Sequence, residues 1–471
     1  MKVVYLMGAG VNQVVKDWYG HSPPLLNNFF NIALKKEKYS QKYYSEEIQN
    51  VYHYIEKYFK KTKNDLADFP FDLELCFTLL EHQINEAKQR ENAEELKELI
   101  NARFQLEGFL AEVLSDFEYF AVMSHTMRNL GKVILYEQPI LITFNYDCMM
   151  ELVLELASGV NISVPQTFRR HNFFEEEELP DEMLIYSHCN WNRPLGYGFK
   201  FDEIQLQQAG ISPFVRGDRF YSISQNKLYP KPLLKLHGSL NWFRYLPLRS
   251  SPTFPGEPEP EFSGKESEII LKSGTWWIAR PPDHNGWLIT PIIITPVLYK
   301  DEYYNKKPFK EVWEQAKDAL SECKKLVFIG YSFSPTDFST KSLMIESLME
   351  NDLEELIVIN PDQNLLKVVK ELCHFRGGIT WYSTLDDYLN TFSGLVKLES
   401  KIEEIPEEEL PKDTSPHDLY TKCKTCGIEF QVGIRTNPRS FATSQFIGNV
   451  YQCPNGHANS YDKIDYVMKK V

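Results

Sequence analysis

The chain has 471 residues, enough for two or three folded units and too many for one small module. A composition of 43% hydrophobic, 14% aromatic and 25% charged residues excludes disorder over most of that length. With 51 Lys and Arg against 65 Asp and Glu, the formal charge of -14 opposes nonspecific attraction to phosphate backbones and anionic membranes, so nucleic acid would need a local patch.

In chain order, the first predicted element is a strand, Val3 to Met7, which runs into Gly8-Ala9-Gly10-Val11-Asn12. One lysine and a short apolar run, without an h-region or a small-residue cleavage site, predict a cytoplasmic start and not a signal peptide. Residues 30 to 130 are mostly helix-patterned, for example Glu94 to Phe120, and form an insertion suited to a lid or an oligomer surface. Short β-branched runs then predict strands at Ile140 to Phe144, Leu233 to Leu236, Ile292 to Thr295, Leu326 to Ile329 and Leu356 to Ile359, with a helix at Lys310 to Ser321. A second insertion covers about 155 to 230, and Arg249 to Glu266 reads as a surface loop. Alternation of strand and helix predicts the α/β class, with a parallel sheet covered on both faces. The longest apolar runs, Pro139 to Phe144 and Leu288 to Leu298, are too short for a bilayer, which needs roughly 20 apolar residues. Residues 401–418 read as an acidic, Pro-punctuated linker, and 419–471 as a small separate domain.

Several of these strands end in small or polar residues, and in an open parallel sheet ligands sit at the carboxyl ends. The turn at Gly8, Ala9 and Gly10 would let backbone amides approach a pyrophosphate at a helix start, although Gln13 stands where a third glycine belongs and a plain turn fits as well. Thr143-Phe144-Asn145-Tyr146-Asp147 offers an amide and a carboxylate two residues apart, or simply caps the next helix. His237, beside Gly238 at the end of a strand, suits a general base or a structural role. Gly330 to Asp337 and Ile359-Asn360-Pro361-Asp362 could hydrogen-bond ribose or phosphate, or form tight turns.

Taken in order, GAGVN, TFNYD, KLHGSLNW, GYSF and INPD resemble the sirtuin family, and in particular the sirtuin-like NADases of bacterial antiphage defence. The resemblance covers roughly residues 1 to 390 and implies that 1–400 form a Rossmann-like parallel sheet with helical insertions. By it, Gly8, Ala9, Gly10 and Asn12 would face the NAD phosphates, with Thr143, Gly330, Ser332 and Asn360 also binding the dinucleotide, and Asn145, Asp147 and His237 would be catalytic. Deacylating members carry two Cys-x-x-Cys pairs between the His-Gly and Gly-x-Ser motifs; here that stretch holds only Cys323. The resemblance therefore implies hydrolysis of NAD to nicotinamide and ADP-ribose as an abortive-infection activity. Control would come from homo-oligomerisation, a partner such as a HerA-like ATPase, or a phage-derived trigger. The rivals are a protein deacylase or ADP-ribosyltransferase, and a nucleotide sensor without catalysis.

Near the C-terminus, Cys423-x-x-Cys426 and Cys453-x-x-x-His457 match a closed Cys3His zinc site in a ribbon, with a structural role. Arg435, Arg439, Lys463 and Lys469 give this ribbon some positive charge, which reads as a solvated face before a nucleic-acid contact. Cys76, Cys148, Cys189, Cys323 and Cys373 read as buried free thiols, His188 beside Cys189 lacks an evident orienting carboxylate, and Glu175 to Glu178 read as a solvated loop.

Overall fold

The computed structural model describes residues 2–40, 48–157, 196–201, 203–204, 215–216, 231–247, 268–271, 286–297, 304–334, 337–392, 411–443, 449–461 and 465–470. Cys189, His188, Glu175 to Glu178, Lys463, the loop at 249–266 and most of the second insertion and of the linker lie outside the described residues.

Six strands build one all-parallel sheet: β1 (Val3–Met7), β2 (Ile140–Thr143), β3 (Leu233–Lys235), β7 (Lys325–Ile329), β8 (Glu355–Ile359) and β9 (Thr380–Tyr382). They lie in the order β9-β8-β7-β1-β2-β3, so the winding direction reverses between β1 and β7. Nearly every residue of β1, β7 and β8 is buried, which is why these strands read as unbroken apolar runs and not as alternating ones. β9 escaped the sequence reading because it is three residues long and only partly buried.

Between β1 and β2 the expected helical insertion is present. Its main helices are α1 (Phe29–Lys35), α2 (Gln49–Phe59), α3 (Lys63–Asp68), α4 (Leu73–Gln89), α5 (Ala93–Met123) and α6 (His125–Glu137). In α4, Leu73, Cys76, Phe77, Leu80, Ile84 and Ala87 recur at helical spacing and are buried on one face, and Asp72 caps the helix by accepting the Leu75 amide at 2.9 Å. Phe29, Phe30, Phe77 and Phe109 centre a second core among these helices, whereas the C-terminal half of α5, together with α6, packs into the core of the sheet through Phe117, Met127 and Leu130.

One expected strand changes sheets. Ile292 to Thr295 is not part of the parallel sheet; Gly286–Ile293 (β6) pairs antiparallel with Gly238–Pro247 (β4), which pairs in turn with Glu268–Leu271 (β5). With Glu203–Ile204 and Val215–Arg216 they make a second, five-stranded sheet. An apolar run does not reveal which sheet it joins, since β-branched residues satisfy either ladder equally well. After β2 the chain forms α7 (Met149–Ala157); α8 (Phe309–Ser321), α9 (Phe338–Leu348), α10 (Leu365–Leu372) and α11 (Leu385–Leu389) complete the helices around the parallel sheet. No described helix is long and apolar enough to cross a membrane.

The C-terminal segment has a three-stranded antiparallel sheet of His417–Lys422 (β10), Glu429–Thr436 (β11) and Tyr466–Lys470 (β14), and a hairpin of Asn449–Gln452 (β12) and Ala458–Tyr461 (β13). β10 begins at His417, two residues before the expected start of the small domain at 419.

Candidate active site

A cleft of about 600 Å³ opens at the carboxyl ends of the parallel strands, where the winding reverses. Gly8, Ala9, Gly10, Asn12, Asn145, Asp147, His237, Gly330, Ser332 and Asn360 all line it, so the chain brings together residues from five separate segments. The helical insertion supplies an apolar wall through Phe29, Leu73, Leu110 and Leu114.

The two glycine turns are required by each other. Gly8 N–H donates to Ile329 O at 3.0 Å and Gly10 N–H to Gly330 O at 2.8 Å. A Cβ on Gly8 or Gly10 would lie 2.6–2.7 Å from Gly330 backbone atoms, and one on Gly330, whose φ is +61°, 2.4 Å from Gly10 C. Backbone lies against backbone here, and only glycine leaves room. The expected helix start is absent: Ala9–Val14 is one short 3₁₀ segment, and the next α-helix begins at Phe29.

Asn145 and Asp147 face the same cleft with distinct tasks. The Asn145 side-chain amide donates to Gly8 O at 3.2 Å and so ties the end of β2 to the glycine turn. Thr143, expected among the binding residues, is buried and outside the lining; its Oγ1 accepts the Asn145 amide at 3.1 Å and sets the loop. Asp147 accepts from Asn12 Nδ2 at 2.7 Å and from the Met149 amide at 3.1 Å. Burial pushes its carboxyl above the ordinary range, against the pull of Lys235. Both of its oxygens are thus engaged within the protein, and Asp147 serves to position Asn12.

His237 sits where the chain leaves one sheet for the other, between β3 and β4. It is 7% exposed, its ring lying edge-on to Phe144 at 5.1 Å and nearly parallel to Tyr146 at 6.3 Å. Its carbonyl accepts the Ile294 amide at 2.8 Å, which fixes the corner. Beyond the ring, Tyr331 stacks on Phe144 at 4.3 Å and donates to Asp337 Oδ2 at 2.5 Å. Asp337 also caps α9 by accepting the Thr340 amide, so the serine turn and that helix form one unit.

Ser332 is exposed within the cleft, while Asn360 is turned to the protein. Asn360 Nδ2 donates to Tyr331 O at 3.3 Å and its Oδ1 accepts the Asp362 amide at 2.9 Å. Its amide therefore holds two loops together, and its part in the cleft is to shape the wall. Glu74 and Tyr146 line the cleft without having been expected to, and Tyr331 and Asp337 belong to the Gly330 to Asp337 segment whose expected ligand contacts did not single them out. Tyr146, Tyr331 and Asp337 lie inside or beside motifs already singled out, whereas Glu74 reaches the cleft only through the packing of the insertion.

In the C-terminal segment Cys423 and Cys426 occupy the turn between β10 and β11, and Cys453 and His457 the turn between β12 and β13. All four ligand atoms lie within 4.8 Å of one another. Cys426 and Cys453 sulfurs are 3.8 Å apart, and Cys453 Sγ is 3.6 Å from His457 Nδ1. Tetrahedral zinc with Zn–S of about 2.3 Å has S···S edges near ~3.8 Å, so these spacings fit a four-coordinate ion. Backbone amides support both turns: Cys453 N–H donates to His457 O, and Cys426 N–H points to Cys423 Sγ. The cluster can hold a metal such as zinc. Cys76, Cys148, Cys323 and Cys373 are buried free thiols, as expected. Arg435 is paired with Asp418 and Lys469 with Glu429, as a solvated face would be.

No family model matches this chain, and no curated protein matches it in sequence.

Proposed function

We propose that the chain is a NAD+ hydrolase with a Rossmann-like core, releasing nicotinamide and ADP-ribose, and that it serves as an abortive-infection effector in antiphage defence. The observation that carries this reading is the convergence of the glycine turn, Asn145, Asp147 and His237 on one cleft at the point where strand winding reverses. In the reaction, the bond between the nicotinamide nitrogen and ribose C1′ breaks, its electron pair leaving with nicotinamide. Water oxygen bonds to C1′, and the water proton passes to a base. The sugar gains oxocarbenium character on the way, as in other glycosidic cleavages. His237, shielded by Phe144 and Tyr146, is the residue suited to take the proton. Asn145, held on Gly8 O, is suited to orient the water or a ribose hydroxyl; the Gly8 and Gly10 amides are spent on Ile329 O and Gly330 O, so the glycine turn would serve the pyrophosphate by letting it approach the backbone closely.

Nicotinamide release by the purified chain tests this. His237→Ala and Asn145→Ala are each expected to lose about 10²- to 10⁴-fold in rate while remaining folded. NAD+ that binds without being cleaved in any oligomeric or partner-bound state would replace hydrolysis by sensing. Control by a homo-oligomer or by a partner such as a HerA-like ATPase belongs to the same proposal, and full turnover by the isolated monomer would count against it.

The metal at Cys423, Cys426, Cys453 and His457 is proposed to be structural zinc. Four protein ligands leave no open position for chemistry, and the segment's own core is small, built around Leu419, Phe430, Tyr461 and Tyr466. Elemental analysis should find one zinc per chain in the wild type and almost none in Cys453→Ser. Limited proteolysis should then cut the variant within 417–470 and spare the rest; an unchanged digest would remove the structural role.

A further inference from the structure

Asn12 lies in the 3₁₀ segment that carries the glycine turn forward, is 4% exposed and lines the cleft. Its side-chain amide is held one way round: Nδ2 donates to Asp147 Oδ2 at 2.7 Å, and a carboxylate oxygen can only accept. Asp147 is fixed in turn, since its Oδ1 accepts the Met149 amide at 3.1 Å and Lys235 Nζ donates to its backbone carbonyl. Asn12 Oδ1 accepts from no described residue and is not sealed off, so it is the polar atom that Asn12 presents to the cleft. Asn145 repeats the pattern, its Nδ2 spent on Gly8 O and its Oδ1 without a donor among the described residues. Both side chains thus meet a ligand as hydrogen-bond acceptors. A phosphate, the expected neighbour of Asn12, brings only acceptors of its own and does not complement this atom.

We infer that Asn12 is a specificity-determining residue whose Oδ1 accepts a hydrogen bond from the carboxamide N–H of the leaving group, so that the cleft takes amidated dinucleotides and rejects those in which a carboxylate replaces the amide. The inference rests on the proposed reading of the cleft as a NAD+ site. The bond to Asp147 turns Asn12 toward the ends of β2 and β3, the side of the cleft that holds Asn145 and His237. A ribose hydroxyl both donates and accepts, so either orientation of the Asn12 amide would serve it. A carboxamide N–H is served by one orientation only, and a carboxylate in its place would set acceptor against acceptor in front of a buried aspartate. Locking the amide through Asp147 therefore separates amide from acid, because the wrong ligand leaves buried polar atoms unpaired. The hydrogen bond from Nδ2 to a carboxylate also polarises the amide and makes Oδ1 a stronger acceptor.

The test is the binding of NAD+ and of nicotinic acid adenine dinucleotide, by calorimetry, to the full-length chain carrying His237→Ala, which spares the ligands from cleavage, and to the same chain with Asn12→Leu or Asp147→Asn added. The parent should prefer NAD+ by about 10²-fold or more, and Asn12→Leu should bring the two affinities within about threefold, chiefly by weakening NAD+. Asp147→Asn keeps the size of the side chain and lets the Asn12 amide turn over, so it should narrow the preference by about tenfold or more, and it carries the test if Asn12→Leu does not fold. A parent without preference, an unchanged ratio in either folded variant, or equal weakening of both ligands would overturn the inference and leave the hydrolase reading standing; the last of these would assign Asn12 to a ribose hydroxyl. Failure of the parent to bind either dinucleotide would overturn both.

Discussion

Glu151→Ala is expected to destabilise the folded chain by about 3–5 kcal/mol, because it leaves a buried ammonium without its countercharge. Lys235 and Glu151 have side chains only 1% and 0% exposed, and Lys235 Nζ lies 2.7 Å from Glu151 Oε1. The ammonium also donates to Tyr146 O at 3.2 Å and to Asp147 O. Tyr197 donates to Glu151 at 2.9 Å and Asn241 to Tyr197 at 2.9 Å, so the network reaches into the second sheet. Burial opposes the charge on Lys235, but Glu151, with Cys148 and Asp147, outweighs it and holds the ammonium above its ordinary value. With the folded value raised, the contribution is complete at neutral pH and is lost only as pH climbs through that raised value in the alkaline range. Denaturant unfolding should show the full loss in Glu151→Ala and recovery of most of it in Glu151→Leu combined with Lys235→Met. A cost below about 1 kcal/mol would mean that the ion pair is not closed. The same variant should also slow the proposed NAD+ cleavage, since Lys235 anchors the backbone of Tyr146 and Asp147 in the cleft.

The second large effect is expected at the corner beside His237. Gly238 has φ +85°, and a Cβ there would lie 2.0 Å from Ile292 O and 2.9 Å from Ile293 Cα. Those are backbone atoms of β6, the strand paired with Gly238 in register, so they cannot yield without opening the ladder. Gly238→Ala should cost at least about 3 kcal/mol, seen as a large fall in soluble yield and in the unfolding midpoint. Gly20→Ala is the control: its φ is +79° but no atom lies within 4 Å of the added carbon. It should cost only the left-handed backbone term, about 1–2 kcal/mol. Equal costs at the two positions would show that φ alone matters and that the contact with β6 does not.

Much of this arrangement was legible in the residues. Strand ends rich in glycine and small polar groups marked the mouth of the parallel sheet, because buried parallel strands must be apolar and their loops need not be. The Cys-x-x-Cys and Cys-x-x-x-His spacings likewise marked the metal cluster, since both depend on short local turns. Long-range partners were not legible. That Asn360 serves Tyr331, that Thr143 serves Asn145, and that Glu74 reaches the cleft are consequences of packing between distant segments, and no local pattern encodes them. The assignment of Ile292 to the wrong sheet has the same cause, because strand propensity is satisfied by any neighbour.

The position of β1 in the centre of its sheet bears on the order in which the protein is made. β1 leaves the ribosome before both of its neighbours, β2, which begins at Ile140, and β7, which begins at Lys325. Gly8 and Gly10 gain the backbone they rest against only when Gly330 has been synthesised. Pairing across such separations is slow relative to local helix formation, so the helices between β1 and β2 can organise well before the sheet closes. A nascent or prematurely ended chain that stops between residues 237 and 330 therefore has the catalytic histidine candidate but no assembled cleft around it, and translation itself delays assembly of the cleft until Gly330 has been made.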